Sequence, residues 1–183
     1  MPPATAASPF GLTLGQGAGI ELAIPSIGLD ALVVEGTTSS ALRAGAGHYI
    51  GTASPCAAGN AAIAGTRKSY GHPFRDLNQL RPGDVIYLRT LKTQCSYVVV
   101  PDASFPPANP HPVLPSDISI LTPPVNPASR LLTLTTTDPP GSAAYRLVLR
   151  AAVAGTPISD TGGDPNPVPG ETLLTPIASQ PAP

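Results

Sequence analysis

Eight short apolar runs, each cut off by glycine, proline or a turn, leave this chain few folds to choose from. "IELAIPSIGLDALVVEG" holds two of them, broken at Gly28 and Asp30. "GHYIGT" and "NAAIAGT" flank the loop "ASPCAAG". "DVIYLRTL" and "QCSYVVV" meet across a tight turn near Lys92-Thr93, and "LLTLTTTDPPGSAAYRLVL" gives the last two, joined by a Pro-Gly turn. Runs this short, rich in valine, isoleucine, threonine and tyrosine and punctuated by turn residues, are strand signals. Two small helices are expected beside them. "SSALRAG" carries a serine cap and a glycine stop. "HPFRDLNQL" has an early proline and then Phe74, Leu77 and Leu80 at helical spacing. Many short strands with little helix predict an all-β fold with short helices, an eight-stranded closed barrel.

The 25 prolines and 18 glycines are partly clustered, and this sets the domain limits. Residues 1–19 read as a flexible lead-in, and residues 155–183 as a Pro/Gly-rich tail unable to bury enough apolar surface to offset its ordering entropy. The domain is expected over residues 20–154. Between strands six and seven, "PDASFPPANPHPVLPSD" reads as a loop, because proline cannot donate to a central ladder. Hydrophobic residues make up 42% of the chain, enough for a core, and charged residues only 11%, with a net charge of −1. That balance lacks the basic patch of a nucleic-acid binder. No apolar run has the length of a membrane span, and the opening "MPPATAASPFGLTLGQG" lacks the basic and apolar regions of a leader. The chain is expected either to stay in the cytoplasm or to owe its anchor to a segment outside this sequence. Cys56 and Cys95 have no metal-ligand spacing. The plainest reading is two small, partly buried thiols; a disulfide would suit an exported protein, and a catalytic thiol is the remaining alternative.

Four blocks carry a resemblance to a known family. In order they are "IPSIGLDALVVEGT", "LRAGAGHYIGTA", "GNAAIAGTRKSYGHPFRDLNQLRPGD" and "LLTLTTTDPPGSAAYRLVLRA". Together they resemble the sortases, specifically the class E type of high-GC Gram-positive bacteria, over roughly residues 22–153. The resemblance implies an eight-stranded sortase barrel and a membrane-anchored, cell-surface cysteine transpeptidase. Such an enzyme cuts a sorting signal after its threonine and passes the acyl group to an amine. Class E implies a signal of the L-A-x-T-G kind, and the family implies no cofactor or metal. No nucleic-acid partner and a monomer are expected.

The family's chemistry rests on a histidine, a cysteine and an arginine. Carried across residue by residue, the histidine position of an "AGH-R" block falls on Thr66, in Ala64-Gly65-Thr66-Arg67. The cysteine position of a "TLTTC" block falls on Thr137, and the arginine matches Arg146, nine residues on. Tyr49, in "GAGHYIGT", is the candidate for reading the peptide, with Thr136 beside the nucleophile position. A threonine hydroxyl is a poor substitute for a thiolate without a base in reach. In a serine protease, loss of the nucleophile or the base costs about a millionfold in kcat, roughly 8 kcal/mol. Arg146 stabilises charge only after attack has occurred. The expectation is therefore a strongly impaired or inactive sortase homologue that keeps a peptide groove. The alternatives are an active enzyme using Thr137 with His72 or His111 as a relocated base, and a decayed copy without a role. His72 otherwise reads as a surface-loop histidine, and Cys95 lies too early in its strand to replace the nucleophile.

Overall fold

A computed structural model of the chain describes residues 10–11, 19–100, 109–153 and 158–159. The expected lead-in lies mostly outside these residues, as does nearly all of the expected tail. Ten strands follow one another as β1 Ile20–Ile24, β2 Leu29–Glu35, β3 Ala46–His48, β4 Gly59–Ala64, β5 Val85–Arg89, β6 Thr93–Val99, β7 His111–Val113, β8 Arg130–Asp138, β9 Tyr145–Val153 and β10 Ile158–Ser159. They form one sheet in the order β10-β6-β5-β1-β2-β3-β4-β8-β9-β7. A further pairing, β6 with β9, joins the sheet to itself. Eight strands thus close a barrel, as expected, while β7 and β10 are added at the margins.

Alternation along each strand sorts side chains between the inside and the outside of this barrel. Leu132 and Leu134 of β8 and Leu147, Leu149 and Ala151 of β9 join the main core, with Ile63, Phe74, Leu77, Leu80 and Tyr97. Val148, between two of them, belongs to a second, smaller cluster with Val113 and Ile120 on the outer face. Asn60 ties that outer layer down: its side-chain amide donates to the carbonyls of Ile120 (2.9 Å) and Thr122 (3.1 Å). A pair of opposite charges links neighbouring strands on one face of the sheet, where Arg89 of β5 donates to the buried Glu21 of β1.

Several local expectations are corrected. The "HPFRDLNQL" segment is a series of turns ending in a 3-10 turn, Leu77–Gln79, and not an α-helix. Its apolar residues are nevertheless core residues, because a spacing of three serves a 3-10 turn as well as a helix face. The one α-helix among the described residues, α1, is Ser39–Ala44, and its cap is Thr38, whose side chain accepts from the Ala41 N–H (3.2 Å). The proline-rich loop contains β7, a short edge strand, where Pro112 is tolerated because its outer side needs no donor. Cys56 and Cys95 are not free thiols: they form a disulfide with their Cα atoms 5.7 Å apart. The bridge pins the loop before β4 to β6, and the Cys56 N–H donates to the Tyr97 hydroxyl (2.8 Å) beside it. Burial raises the Tyr97 phenol above its ordinary value. No helix among the described residues is long and apolar enough to cross a membrane.

Candidate active site

The three carried-over positions come together at one end of β4, β8 and β9. Thr137 of β8 lies directly opposite Arg146 of β9 in the antiparallel register. Directly opposed residues put their side chains on the same face. Arg146 shares the outer face with Val148, two residues on, so this pair sits on the outer surface of the barrel. Among the described residues the Arg146 guanidinium makes no hydrogen bond or ion pair. β7 runs alongside, with Val113 opposite Arg146 and His111 opposite Val148.

Thr66 follows β4, which runs parallel to β8 with Ala64 opposite Thr135. Its two neighbours are both fastened to the end of β8. The Gly65 N–H donates to the Thr135 carbonyl (3.0 Å), and Arg67 Nη1 donates to the Thr137 carbonyl (3.1 Å). Thr66 lies between these two fastened residues. Its hydroxyl turns back into its own loop, donating to the Ser69 carbonyl. Gly65 is required here by space, since a Cβ on it would come within 2.5 Å of the Phe74 ring.

Tyr49 and Thr136 take opposite sides. The Tyr49 and Thr135 hydroxyls are 2.9 Å apart, so Tyr49 leans over the outer face of β8 two residues from Thr137. Thr136 alternates with them and is buried, its hydroxyl donating to the Gly65 carbonyl (2.7 Å). It fastens β4 to β8 and offers no group to the outer face. Sequence reasoning missed Arg67. This arginine is buried, and its Nη1 also donates to Asp138 Oδ1 (2.7 Å). Asp138 closes the "TTTD" run, and that acidic residue at the strand end was the available signal.

Neither His48 nor His72 hydrogen-bonds to Thr137. His48 is buried with both ring nitrogens engaged: Nδ1 with Glu35 Oε2 (2.9 Å), Nε2 with the Ala53 carbonyl (2.8 Å) and Thr52 Oγ1 (3.0 Å). His72 is exposed, and its ring makes no hydrogen bond to Thr66 or Thr137. His111 is buried on β7 within the strip that packs against β9. Nearby, Asp117 is held below the usual carboxylate range, chiefly by the Ser119 hydroxyl (2.6 Å) and then by its N–H (3.0 Å).

The sortase domain family matches residues 22–154, almost the whole barrel. The chain belongs to the sortase family. It is 36% identical over 154 residues to Sortase SrtE1 of Streptomyces coelicolor, a stretch that is 78% of this chain and 42% of that relative. The chain thus spans less than half of the curated relative it matches. Among solved structures, sortase E from Streptomyces avermitilis aligns with a TM-score of 0.67 and 32% identity, over 85% of this chain and 96% of that one. Sortase E1 of S. coelicolor, solved with a tripeptide in the active site, aligns with a TM-score of 0.68 and 28% identity, over 81% of this chain and 94% of that one. Class E sortases are therefore close relatives, as the four sequence blocks implied. Within this sortase barrel, the outer face of β8 and β9 carries hydroxyls and a guanidinium, and both cysteine sulfurs of the chain are bonded to each other.

Proposed function

We propose that this sortase-family protein binds an extended peptide of the sorting-signal type at the Thr137–Arg146 end of β8 and β9, and that it lacks, or nearly lacks, the family's cysteine transpeptidation. In this reading Thr137 stands at the nucleophile position and Thr66 at the base position. Arg146 is the retained cation, and Tyr49 forms a wall of the groove. Thr136, spent on the Gly65 carbonyl, is left out of it.

The observation that carries the reading is the disulfide. The chain has two cysteines and the bridge uses both, so no thiol is left to become the attacking thiolate. The residue opposite Arg146 bears only a hydroxyl. The neighbouring Thr66 hydroxyl, engaged with Ser69, cannot remove a proton from it near neutral pH. The binding half rests on geometry. Arg146 is unpartnered among the described residues and Tyr49 is fixed at Thr135, both at the end of β8 and β9 that holds Thr137. A guanidinium and a phenol placed together suit a backbone carbonyl or carboxylate.

The test is incubation with a fluorescent L-A-x-T-G peptide and an acceptor amine. Saturable binding with no cleavage is the expected result, and Arg146→Ala weakens it. Turnover that disappears in Thr137→Ala would mean that threonine performs the chemistry. Absence of any binding would leave the barrel without the proposed role.

A further inference from the structure

An open surface pocket of about 540 Å³ lies beside the β8–β9 turn, lined by Arg67, Lys68, His72, Arg75, Asp76 and Pro140 among others. Three of the chain's ten lysines and arginines meet there, in a protein whose net charge is −1. We propose that this pocket is an oxyanion-binding subsite, built to take a carboxylate- or phosphate-bearing group.

The charges differ in how far they are already used. Arg67 is buried and fixed by the Thr137 carbonyl and Asp138, so it supplies a rigid wall and is largely neutralised by that carboxylate. Arg75 meets only Asp76, at 3.8 Å, with both side chains well exposed, an arrangement that contributes little in solvent. Lys68 makes no ion pair among the described residues. Its stem lies against the turn, with Cδ 3.0 Å from where a Cβ on Gly141 would stand. Gly141 has φ +79, so glycine there satisfies the backbone and leaves room for the lysine. Three cations against the two carboxylates Asp76 and Asp138 leave an excess of one positive charge, and the His72 ring adds a further polar group.

The loop that presents these groups is held in an uncommon shape. Tyr70, Gly71 and His72 all have positive φ, at +50, +76 and +40. Two of the three are not glycine and carry the steric cost of that region. Tyr70 is held by Arg43, stacked 5.1 Å from its ring centre. The loop is further tied by the Phe74 N–H to the Thr66 carbonyl (3.1 Å) and the His72 N–H to the Ser69 carbonyl (2.9 Å). Lys68 and Arg75 both line the pocket, Lys68 without an ion pair among the described residues and Arg75 with only the long, exposed pairing to Asp76. The pocket has room for more than a bare ion, and its Arg67 wall touches the backbone of Thr137.

The subsite is tested on the whole chain with no peptide present, so its outcome is separate from that of the groove. Inorganic phosphate and glutarate are titrated at low ionic strength, followed by amide NMR shifts. Saturable shifts at Lys68, Arg75 and Gly141 are expected with one probe or both, and the probe that binds more tightly names the group the site prefers. Lys68→Ala with Arg75→Ala should weaken that binding about tenfold or more. Both residues are solvent-facing, and an unchanged melting temperature confirms that the variant folds. The proposal is overturned if neither probe saturates, if the double variant binds as tightly as the parent, or if chloride at equal ionic strength gives the same shifts.

Discussion

The two faces of β8 follow different rules. Inside, Leu132 and Leu134 are wholly buried in the main core, opposite Ala151 and Leu149 of β9. On the other face, Thr133 and Thr135, buried beneath the outer layer, and the half-buried Thr137 run along the same strand, paired across to Arg150, Val148 and Arg146. Packing dictates the first row, because a close-packed interior feels the loss of a single methylene. The barrel makes no such demand at Thr137, whose side chain is only half-buried and which uses its carbonyl, not its hydroxyl, to hold Arg67. The fold of this strand therefore does not depend on which side chain stands at that outer position.

Substitutions can break or sharpen this contrast. The largest loss of stability is expected from Cys56→Ser with Cys95→Ser. Opening a bridge across 39 positions removes about 4 kcal/mol in the chain-entropy account, seen as a lower denaturant midpoint. Leu134→Ala, on the inner row, should cost about 3 kcal/mol by the same measurement. Tyr49→Phe, which removes the hydroxyl contact to Thr135, should cost about 1 kcal/mol and weaken peptide binding. Arg146→Ala should change stability by no more than about 0.5 kcal/mol, because its guanidinium has no partner to lose among the described residues, yet it should reduce peptide affinity. If the outer-row changes unfold the barrel as readily as Leu134→Ala, the two faces are not independent.

The same contrast explains what could be read from the sequence. The barrel was legible because alternation and turn residues are local signals, and the strand pairs β5–β6 and β8–β9 are hairpins. That the end of β4, with Thr66 after it, lies beside the end of β8 could be expected only through the family resemblance, since β4 and β8 are far apart in the chain. What stayed hidden was set by distant partners. Arg67 and Asp138 are separated by 71 positions, so the one signal for that buried arginine stands at the end of a distant strand. Cys56 and Cys95 can bridge because the folded sheet brings their Cα atoms to 5.7 Å, a distance no spacing reveals. The segment from His72 to Leu80 was misjudged because three apolar residues at a spacing of three fit turns packed on the core as well as an α-helix.

The central claim is that the barrel and its cation persist while hydroxyls stand where a thiol and an imidazole would act. It is tested most directly by the double change Thr66→His with Thr137→Cys, assayed for cleavage of an L-A-x-T-G peptide. Cleavage about a thousandfold or more above the parent chain, abolished again by adding Arg146→Ala, is the predicted result. A double variant that melts like the parent, still binds the peptide and cleaves none of it would contradict the claim.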